Sequence, residues 1–598
     1  MTLKKKVYHI LDAILICGRV APIETGLMIL NVIIHSALPY FLVRCSTKFI
    51  NAVLNYYKEQ DNLQSIINTI VQLSIVFFLM FFYSVIIRML SERIAIQLRN
   101  KVNLEIIDKC SRLKYEYIET GETCDLINRI LRYPGLDVIQ NAFLHIMSGV
   151  EIIVNILIVG LLLLKQVWWA IPVILISILP LLITSYYSSV EAYKVLRWNT
   201  EIARKSNYIE FDILRGRDLA MERNLFGYAK HFNNKFEEFF RKTMKMEKEV
   251  RVKWFIRMKL SSILVTGVII SVALVLCGSL KAGAITMGFF ISVVESLFRL
   301  ENLLVNQVQN LISELVQDNE YFKDLTEFAA LSEDDSEGTY CPEQEGIHTI
   351  EFKNVYFKYP GTSNYILKGL SFRMEEGKHY AIVGKNGSGK TTITKLLLRL
   401  YTIDQGEILI NGKNIYDYSI EKVHSLFSVV YQDFTRYAIT VKDNVGIGDL
   451  KNIEDMKRIK EVTESVGLKD VIDSLPQGYE TPLGKVLQEG VDLSGGQWQR
   501  VALARTLMKR NTVKILDEPT AALDPIQESN LYKNYGNIVK HATTIFISHR
   551  LGSTKLADKI ILIDDGKVLS CGSHEQLMKE NGLYKEMFCM QKEWYDEA

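Results

Sequence analysis

A glycine-rich loop between a strand-like and a helical segment contains the first residues with a defined chemistry. The sequence GKNGSGKTT follows HYAIV and precedes ITKLLLRL. Gly384, Gly387 and Gly389 let backbone N–H groups converge on phosphate oxygens, because side chains there would block the approach. Lys390 adds a positive charge for the β and γ phosphates, and the helix that follows directs its positive end at the same anion. The loop therefore predicts a nucleotide phosphate site.

Two adjacent carboxylates end another strand-like segment, VKILDEPTAALD. Asp517, at the end of the strand, is expected to join the coordination shell of Mg²⁺ together with the hydroxyl of Thr391. Glu518 is expected to orient and polarise the water that attacks the γ-phosphorus. This pair, with the glycine-rich loop, predicts ATP hydrolysis with Mg²⁺ as the metal.

Six apolar stretches of membrane-spanning length occupy the first half of the chain. They cover residues 23–43, 66–87, 143–164, 167–187, 260–280 and 285–304. A helix of about 20 residues crosses the roughly 30 Å hydrocarbon layer of a bilayer, and a soluble core rarely needs six such runs. The chain is therefore predicted to be a multi-pass membrane protein surrounded by membrane lipid.

Lys and Arg are unevenly distributed among the loops between these stretches. The loops after the second and fourth stretches are rich in both, whereas the other loops carry few, among them Lys48, Lys58, Lys165 and Lys281. Because positive charge is retained on the cytoplasmic side during insertion, the basic loops, the N-terminus and the ATP-binding half are predicted to be cytoplasmic.

The net charge of +2, from 70 Lys and Arg against 68 Asp and Glu, gives no reason to expect nucleic acid as a partner.

Polar side chains inside the apolar stretches are costly in lipid and usually face a cavity or another helix. Four of them are candidates for the lining of a substrate path: Asn31, His35, Asn155 and Glu295. The alternative is hydrogen bonding between helices, and Glu295 could simply pair with Arg299 at the i and i+4 positions. The sequence leaves both interpretations open.

An acidic, turn-rich segment separates the two halves of the chain. SEDDSEGTYCPEQEG, at residues 332–346, has no apolar periodicity, which indicates a domain junction. The predicted organisation is a transmembrane domain at 1–331 with six helices and long cytoplasmic extensions, a linker at 332–346 and a nucleotide-binding domain at 347–598. The predicted fold class is an all-α membrane domain followed by an α/β P-loop NTPase domain.

The segment LSGGQ, at residues 493–497, lies between the glycine-rich loop and the carboxylate pair. In this order the motifs resemble those of ATP-binding cassette (ABC) proteins, and with six preceding spans the whole chain resembles an exporter-type ABC half-transporter. The resemblance implies that Tyr359 stacks on adenine and that Gln432 contacts Mg²⁺. It also implies that His549 contacts the γ-phosphate as a second catalytic residue and that Asp524 lies in the family's D-loop.

The same resemblance implies a larger set of nucleotide-binding residues in the two glycine-containing motifs. These are Gly384, Lys385, Asn386, Gly387, Ser388, Gly389, Lys390, Thr391 and Thr392 in the first motif and Ser494, Gly495, Gly496 and Gln497 in the second. The chain has one copy of each motif, and in the family the second completes the ATP site of a facing subunit. A dimer with two composite sites is therefore expected, with a second copy of the same chain favoured and a heterodimer as the alternative.

The surroundings of LSGGQ, in the segment TPLGKVLQEGVDLSGGQWQR, resemble exporters of lantibiotic and bacteriocin peptides. This resemblance implies ATP-driven export of a peptide across the cytoplasmic membrane by alternating access. The first span begins near residue 23, so the N-terminal peptidase domain that some of these exporters carry is not expected here.

Lipids or amphipathic drugs are alternative substrates, and a sensor or regulator without net transport is an alternative function. Two loop segments, YIETGETCDLINRI and LAMERNLFG, resemble the family's coupling regions.

Overall fold

The computed structural model describes residues 5–60, 62–119, 121–131, 135, 137–216, 219–333, 340, 346–485, 489–510, 513–517, 542–547, 553–580 and 582–596. The chain forms two compact units. The first consists of Met1–Arg112 and Gly121–Leu331, and the second of Leu113–Thr120 and Ser332–Ala598. The predicted linker at 332–346 lies largely outside the described residues, so its limits stay a prediction.

The described residues of the first unit form helices joined by short connections. Its α-helices are α1 (Asp12–Val20), α2 (Pro22–Tyr57), α3 (Leu63–Leu98), α4 (Leu104–Ser111), α6 (Gly121–Leu131), α7 (Asp137–Val167), α8 (Ala170–Asn207), α9 (Ala220–Phe226), α10 (Ala229–Lys281), α11 (Met287–Asn302) and α12 (Val308–Ala330), with the short α5 (Tyr115–Glu119) in the second unit. Three π-helical segments, Arg99–Asn103, Tyr208–Leu214 and Leu303–Gln307, follow α3, α8 and α11.

Five of the described helices are long and apolar enough to cross a membrane, judged by length and composition. They are α2, α3, α7, α8 and α10, and α10 alone has 53 residues, which at 1.5 Å per residue exceeds the bilayer more than twofold. The sixth predicted stretch, 285–304, corresponds to α11 and the start of the π-helical segment that follows it. It carries three charged residues, Glu295, Arg299 and Glu301, and is not among these five helices. The helical backbone continues through the π-helical segment into α12, with a change of hydrogen-bond spacing at Leu303.

Apolar side chains on α7, α8, α10 and α11 form a buried cluster in the first unit. Leu163, Val265, Ile269 and Leu297 are each at most 1% exposed within it. Other apolar side chains of the same helices, such as Leu161 and Ile176, are exposed to the surroundings. A helix that is apolar on its outer face is expected in lipid, which solvates that face.

The second unit is an α/β domain with two sheets. Its strands are β1 (Thr349–Phe357), β2 (Leu367–Glu375), β3 (His379–Gly384), β4 (Gln405–Ile410), β5 (Lys413–Asn414), β6 (Phe427–Val430), β7 (Val513–Asp517), β8 (Thr543–Ile547), β9 (Lys559–Asp564) and β10 (Lys567–Gly572). Its longer helices are α13 (Lys390–Leu397), α14 (Ile420–Leu426), α15 (Val441–Gly446), α16 (Met456–Ser465), α17 (Lys469–Asp473), α18 (Gly495–Met508), α19 (His574–Lys579) and α20 (Leu583–Asp596).

Strand order decides where the loops of this unit meet. An antiparallel sheet has the order β2-β1-β4-β5, and a larger sheet has the order β10-β9-β3-β8-β7-β6. In the larger sheet β9, β3, β8, β7 and β6 run parallel, and β10 pairs antiparallel with β9. Strands β7 and β8 are buried at every position, as is usual for inner strands of a parallel sheet covered on both faces. The carboxyl ends of β3, β7 and β6 therefore lie along one edge, where ligands of such sheets bind.

Candidate functional site

The glycine-rich loop joins the end of β3 to the start of α13. Gly389, the residue before the helix, has a φ of +100°, and a Cβ there would lie 2.7 Å from Leu367 Cδ2. A Cβ at Gly384 would lie 2.1 Å from the carbonyl oxygen of Ile563 on β9. A side chain fits at neither position, so glycine is required for this loop to curl over the start of the helix.

Two polar side chains of this loop are enclosed by it. Lys390 Nζ donates hydrogen bonds of 2.9 Å to the carbonyl oxygens of both Gly384 and Lys385. The hydroxyl of Ser388 is buried and has no hydrogen-bond partner within the described part of the chain. A buried hydroxyl without a partner is costly, and a phosphate oxygen would satisfy it. The enclosed ammonium, the hydroxyl and the start of α13 thus fit a phosphate group.

Tyr359 lies beside this loop with its ring held in place from several sides. Its hydroxyl is 3.0 Å from Thr392 Oγ1 on α13. Phe357 and Tyr401 pack edge-to-face against it, with ring centroids 5.1 and 5.3 Å away. The Lys395 ammonium lies 5.2 Å from the centre of the same ring. These contacts orient an aromatic ring next to the phosphate loop, as stacking on a nucleotide base requires.

The segment Leu113–Thr120, which belongs to the second unit, contacts the same aromatic cluster. The ring centroid of Tyr115 lies 5.6 Å from that of Tyr401, and Lys395 Nζ lies 3.4 Å from a carboxylate oxygen of Glu119. Part of the predicted coupling segment thus packs with the nucleotide-binding residues. Lys395 and Tyr115 were not predicted from sequence, because the cluster is assembled from distant segments and has no motif.

The sheet brings the residues predicted to hold Mg²⁺ to one edge. Asp517 ends β7 and is 1% exposed, and its neighbour Leu516 lies opposite Val430 of β6. Gln432 lies two residues after Val430, the last residue of β6, and is exposed. Thr391, also exposed, is the second residue of α13, after the loop that leaves β3. Hydroxyl, amide and carboxylate oxygens are the ligands that Mg²⁺ prefers, so this set fits that metal.

Three predicted site residues, Glu518, Asp524 and His549, lie outside the described residues. In sequence, Glu518 directly follows the last residue of β7, and His549 is two residues beyond the last residue of β8. Their roles stay predictions. The strand ends that precede them lie side by side, since Asp517 pairs with Ile547.

The LSGGQ segment forms the start of α18. Ser494 is the N-cap: its hydroxyl accepts a 3.3 Å hydrogen bond from the Gln497 backbone N–H, and its own N–H donates to Gln497 Oε1 at 2.8 Å. Ser494 and Gly495 are exposed, whereas Trp498 is 1% exposed and anchors the helix. The positive end of a 14-residue helix is therefore exposed at Ser494 and Gly495, where an anion is favourable.

Lys514 on β7 connects the strand of the carboxylate pair to the end of α18. Its ammonium donates to the carbonyl oxygens of Thr506 and Lys509, at 3.2 and 3.0 Å. These carbonyls belong to the carboxyl end of the helix, where a positive charge is favourable. Burial, with the nearby positive charges of Arg458 and Lys509, lowers the pKa of Lys514 to about 8.

We expect Lys514→Met to lower the free energy of unfolding by about 1–3 kcal/mol at pH 7.5, because two carbonyl groups lose a buried donor. The pKa of Lys514 is lower in the folded chain than its ordinary value of 10.5, so between pH 8 and 10.5 the unfolded chain binds more protons. This site therefore stabilises the wild type more as pH rises, and the methionine variant lacks that gain. Thermal unfolding of both proteins is measured at pH 7.5 and 9.5, with the exposed Lys567→Met as control. The difference in free energy of unfolding between the wild type and Lys514→Met should increase from pH 7.5 to pH 9.5. An unchanged difference would contradict the lowered pKa of Lys514.

Comparisons with known proteins agree with this architecture. The sequence profile of the ABC transporter family matches residues 367–521. The subtilin transport ATP-binding protein SpaT of Bacillus subtilis is 30% identical over 573 residues, which cover 93% of this chain and 89% of that protein. The nisin transport ATP-binding protein NisT of Lactococcus lactis subsp. lactis is 25% identical over 547 residues, 88% of this chain and 89% of that protein.

A solved structure of a bacterial Atm1-family ABC exporter with ATP bound shows the same fold, with a TM-score of 0.75 and 22% identity over 96% of this chain and 99% of that one. The predicted fold class, a helical membrane domain followed by an α/β cassette, is confirmed. The cassette binds ATP, and half-transporters of this kind function as dimers. The chain therefore belongs to the ABC transporters, as a multi-pass, exporter-type half-transporter that joins one membrane domain to one ATP-hydrolysing cassette.

Proposed function

We propose that this half-transporter exports a peptide across the cytoplasmic membrane as a homodimer. The observation that carries the proposal is the extent of the similarity to SpaT, which covers 93% of the chain. A match over the cassette alone would support only ATP hydrolysis. A match of this length includes the helices that must contact the transported molecule, and the two relatives are named as transporters of subtilin and nisin.

The nucleotide would lie along the carboxyl edge of the larger sheet. In this arrangement Tyr359 stacks on adenine, and the loop from Gly384 to Thr392 surrounds the phosphates. Thr391, Gln432 and Asp517 would hold Mg²⁺, which neutralises charge on the phosphates when bound. The geometry that supports these roles is the common edge reached by β3, β6 and β7.

Hydrolysis requires a water molecule in line with the bond to be broken. Glu518, directly after β7, accepts a proton from that water and orients it toward the γ-phosphorus. His549, after β8, donates a hydrogen bond to the γ-phosphate. Both positions follow neighbouring parallel strands, whose ends are paired through Asp517 and Ile547.

Each site would be completed by the second subunit. The start of α18, residues Ser494, Gly495, Gly496 and Gln497, would supply N–H groups and a hydroxyl to the γ-phosphate on the facing chain. Asp524, in the D-loop, would lie between the two sites. The chain has the residues for an active site at every one of these positions, which favours two identical subunits over a heterodimer.

ATP binding would change the access of the membrane domain from one side to the other. A shift of that equilibrium from 1:99 to 99:1 needs about 5.5 kcal/mol of differential binding. The contact of Tyr115 and Glu119 with the aromatic cluster supports a role for the segment Leu113–Thr120 in transmitting this shift. The Lys and Arg residues of the basic loop around this segment support a cytoplasmic position for it, for the cassette and for the N-terminus.

The proposal is tested with inside-out proteoliposomes and labelled nisin or subtilin. We expect accumulation of peptide inside the vesicles when ATP is added outside, and none with the Glu518→Gln variant. A labelled lipid in the same vesicles serves as the comparison substrate. ATP turnover without movement of either peptide would contradict peptide export, and movement of the lipid instead would favour a lipid transporter.

A further inference from the structure

Lys395 lies on α13, the helix that begins at the phosphate loop, but it belongs to none of the nucleotide-binding motifs. It follows Lys390, the first residue of this helix, by roughly 7.5 Å along the helix axis. Thr392 lies three residues before Lys395 and therefore on the same face of the helix. One face of α13 thus carries a hydroxyl and an ammonium group at a fixed distance from the phosphate loop.

The Lys395 ammonium lies among three tyrosine rings. Its Nζ is 5.2 Å from the ring centre of Tyr359, 5.5 Å from that of Tyr401 and 5.9 Å from that of Tyr115. A cation within about 6 Å of an aromatic ring is attracted to its electron-rich face, and more strongly when it is partly shielded from water. The side chain of Lys395 is 21% exposed, so solvent screens these attractions only in part.

Glu119, the last residue of α5, supplies a carboxylate to the same ammonium. Its Oε1 lies 3.4 Å from Lys395 Nζ, and its side chain is 48% exposed. An ion pair this exposed adds little to the stability of the fold. It does select among the positions that the flexible lysine side chain can take, because the carboxylate and the three rings attract the ammonium to one place.

The ring of Tyr359 is also held at its hydroxyl and by two other rings. The hydroxyl lies 3.0 Å from Thr392 Oγ1, and Phe357 and Tyr401 pack edge-to-face against the ring. Tyr359 is half-buried, which leaves part of it open to a base. Stacking depends on the relative orientation of the two ring planes, so a group that fixes the tyrosine ring increases the affinity for the base.

We propose that Lys395, held by Glu119, is a positioning residue for the nucleotide base and acts through the ring of Tyr359. This inference rests on the proposed stacking of Tyr359 on adenine. It goes further, because it makes the affinity for the base depend on a positive charge and on a residue from the first half of the chain. The base is remote from the γ-phosphate, where the bond is broken. Loss of the ammonium therefore weakens ATP binding and leaves the rate at saturating ATP unchanged.

The first test measures ATP hydrolysis by the full-length protein in detergent as a function of ATP concentration. For Lys395→Met we expect KM for ATP to rise about 3- to 10-fold, with kcat within about twofold of the wild type. Lys395→Arg keeps the positive charge and should keep both constants within about twofold of the wild type. The control is Lys469→Met, which removes the lysine of another ion pair of the cassette, 2.7 Å from Glu464, and should change neither constant. Thermal unfolding of each variant verifies that it is folded.

A double-mutant cycle shows whether Lys395 acts through Tyr359. Tyr359→Leu alone should raise KM for ATP, because the stacking ring is lost. Adding Lys395→Met to Tyr359→Leu should then raise KM by less than about twofold, since no ring is left to position. An equal effect of Lys395→Met with and without the tyrosine ring would mean that the ammonium acts on the phosphates, and would overturn the proposal.

Glu119→Leu should raise KM by a smaller factor, about two- to threefold, and should have no effect in the Lys395→Met background. A wild-type KM for Glu119→Leu would overturn the part assigned to Glu119, and a wild-type KM for Lys395→Met would overturn the whole inference. If Tyr359→Leu itself leaves KM unchanged, the stacking of Tyr359 on adenine is overturned as well. Peptide export is measured separately by uptake, so none of these outcomes decides it.

Discussion

Replacing Glu518 by glutamine is expected to slow ATP hydrolysis by about a hundredfold or more, while ATP still binds. Glutamine keeps the size of the side chain but cannot accept a proton from water, and a positioned general base contributes about 10²–10⁴ in rate. The preceding residue, Asp517, ends β7 at the edge where the glycine-rich loop begins, and Glu518 is the next residue in the sequence. Phosphate release and equilibrium ATP binding are measured on the same purified protein.

The control for this variant is Glu421→Gln, which makes the same substitution at an exposed position of α14. It is expected to hydrolyse ATP at the wild-type rate. Turnover by Glu518→Gln within about twofold of the wild type would mean that another residue acts as the base. Loss of ATP binding would instead mean that Glu518 supports the site and does not activate water.

The second large effect is expected at the start of α18. Ser494→Arg should lower ATP hydrolysis by at least about a hundredfold, because the arginine occupies the surface that a facing nucleotide must approach and removes the serine N-cap. The chain offers a close control in Ser573, the N-cap of α19, which forms the same capping box with Gln576. Loss of either cap costs about 1 kcal/mol in local stability. Ser573→Arg should therefore share the loss of stability but keep hydrolysis near the wild-type rate.

Comparing Ser494→Arg with Ser573→Arg separates the effect of losing a helix cap from the effect of blocking a composite ATP site. Equal losses of hydrolysis in both variants would show that the cap alone explains the effect.

The composite site also requires a dimer, so the protein in detergent should have twice the 68.6 kDa mass of one chain. A monomer that hydrolyses ATP at the wild-type rate would contradict the sharing of sites, and a second polypeptide of different mass would favour the heterodimer.

The nucleotide-binding residues were predictable from sequence because their chemistry is local. Gly384, Gly389 and Lys390 lie within seven residues of one another, and the clash of a Cβ with Leu367 and Ile563 explains why the motif needs glycine. The same holds for Ser494 and Gln497, which cap the helix that they begin. By contrast, Tyr115, Tyr359 and Lys395 come from three separate segments, so no pattern along the chain indicates their contact.

Hydropathy predicted the membrane domain but not the backbone geometry of its last span. An apolar stretch indicates side chains that are costly to expose to water, and this correctly predicted helices α2, α3, α7, α8 and α10. In the last stretch, α11 continues through the π-helical segment Leu303–Gln307 into α12. Hydropathy carries no information on backbone hydrogen bonding, so it could not predict this change of geometry.

Motif order and hydropathy are properties of the chain alone, so they sufficed to predict a membrane-embedded ABC half-transporter. The partners of the polar side chains in the spans are visible only in the folded helices. Asn31 and Asn155 are the same residue type, yet Asn31 donates to the Tyr83 carbonyl on α3, whereas Asn155 donates to the Glu151 carbonyl of its own helix. The difference depends on how each helix is rotated against its neighbours, and that rotation is set by the packing of the whole unit.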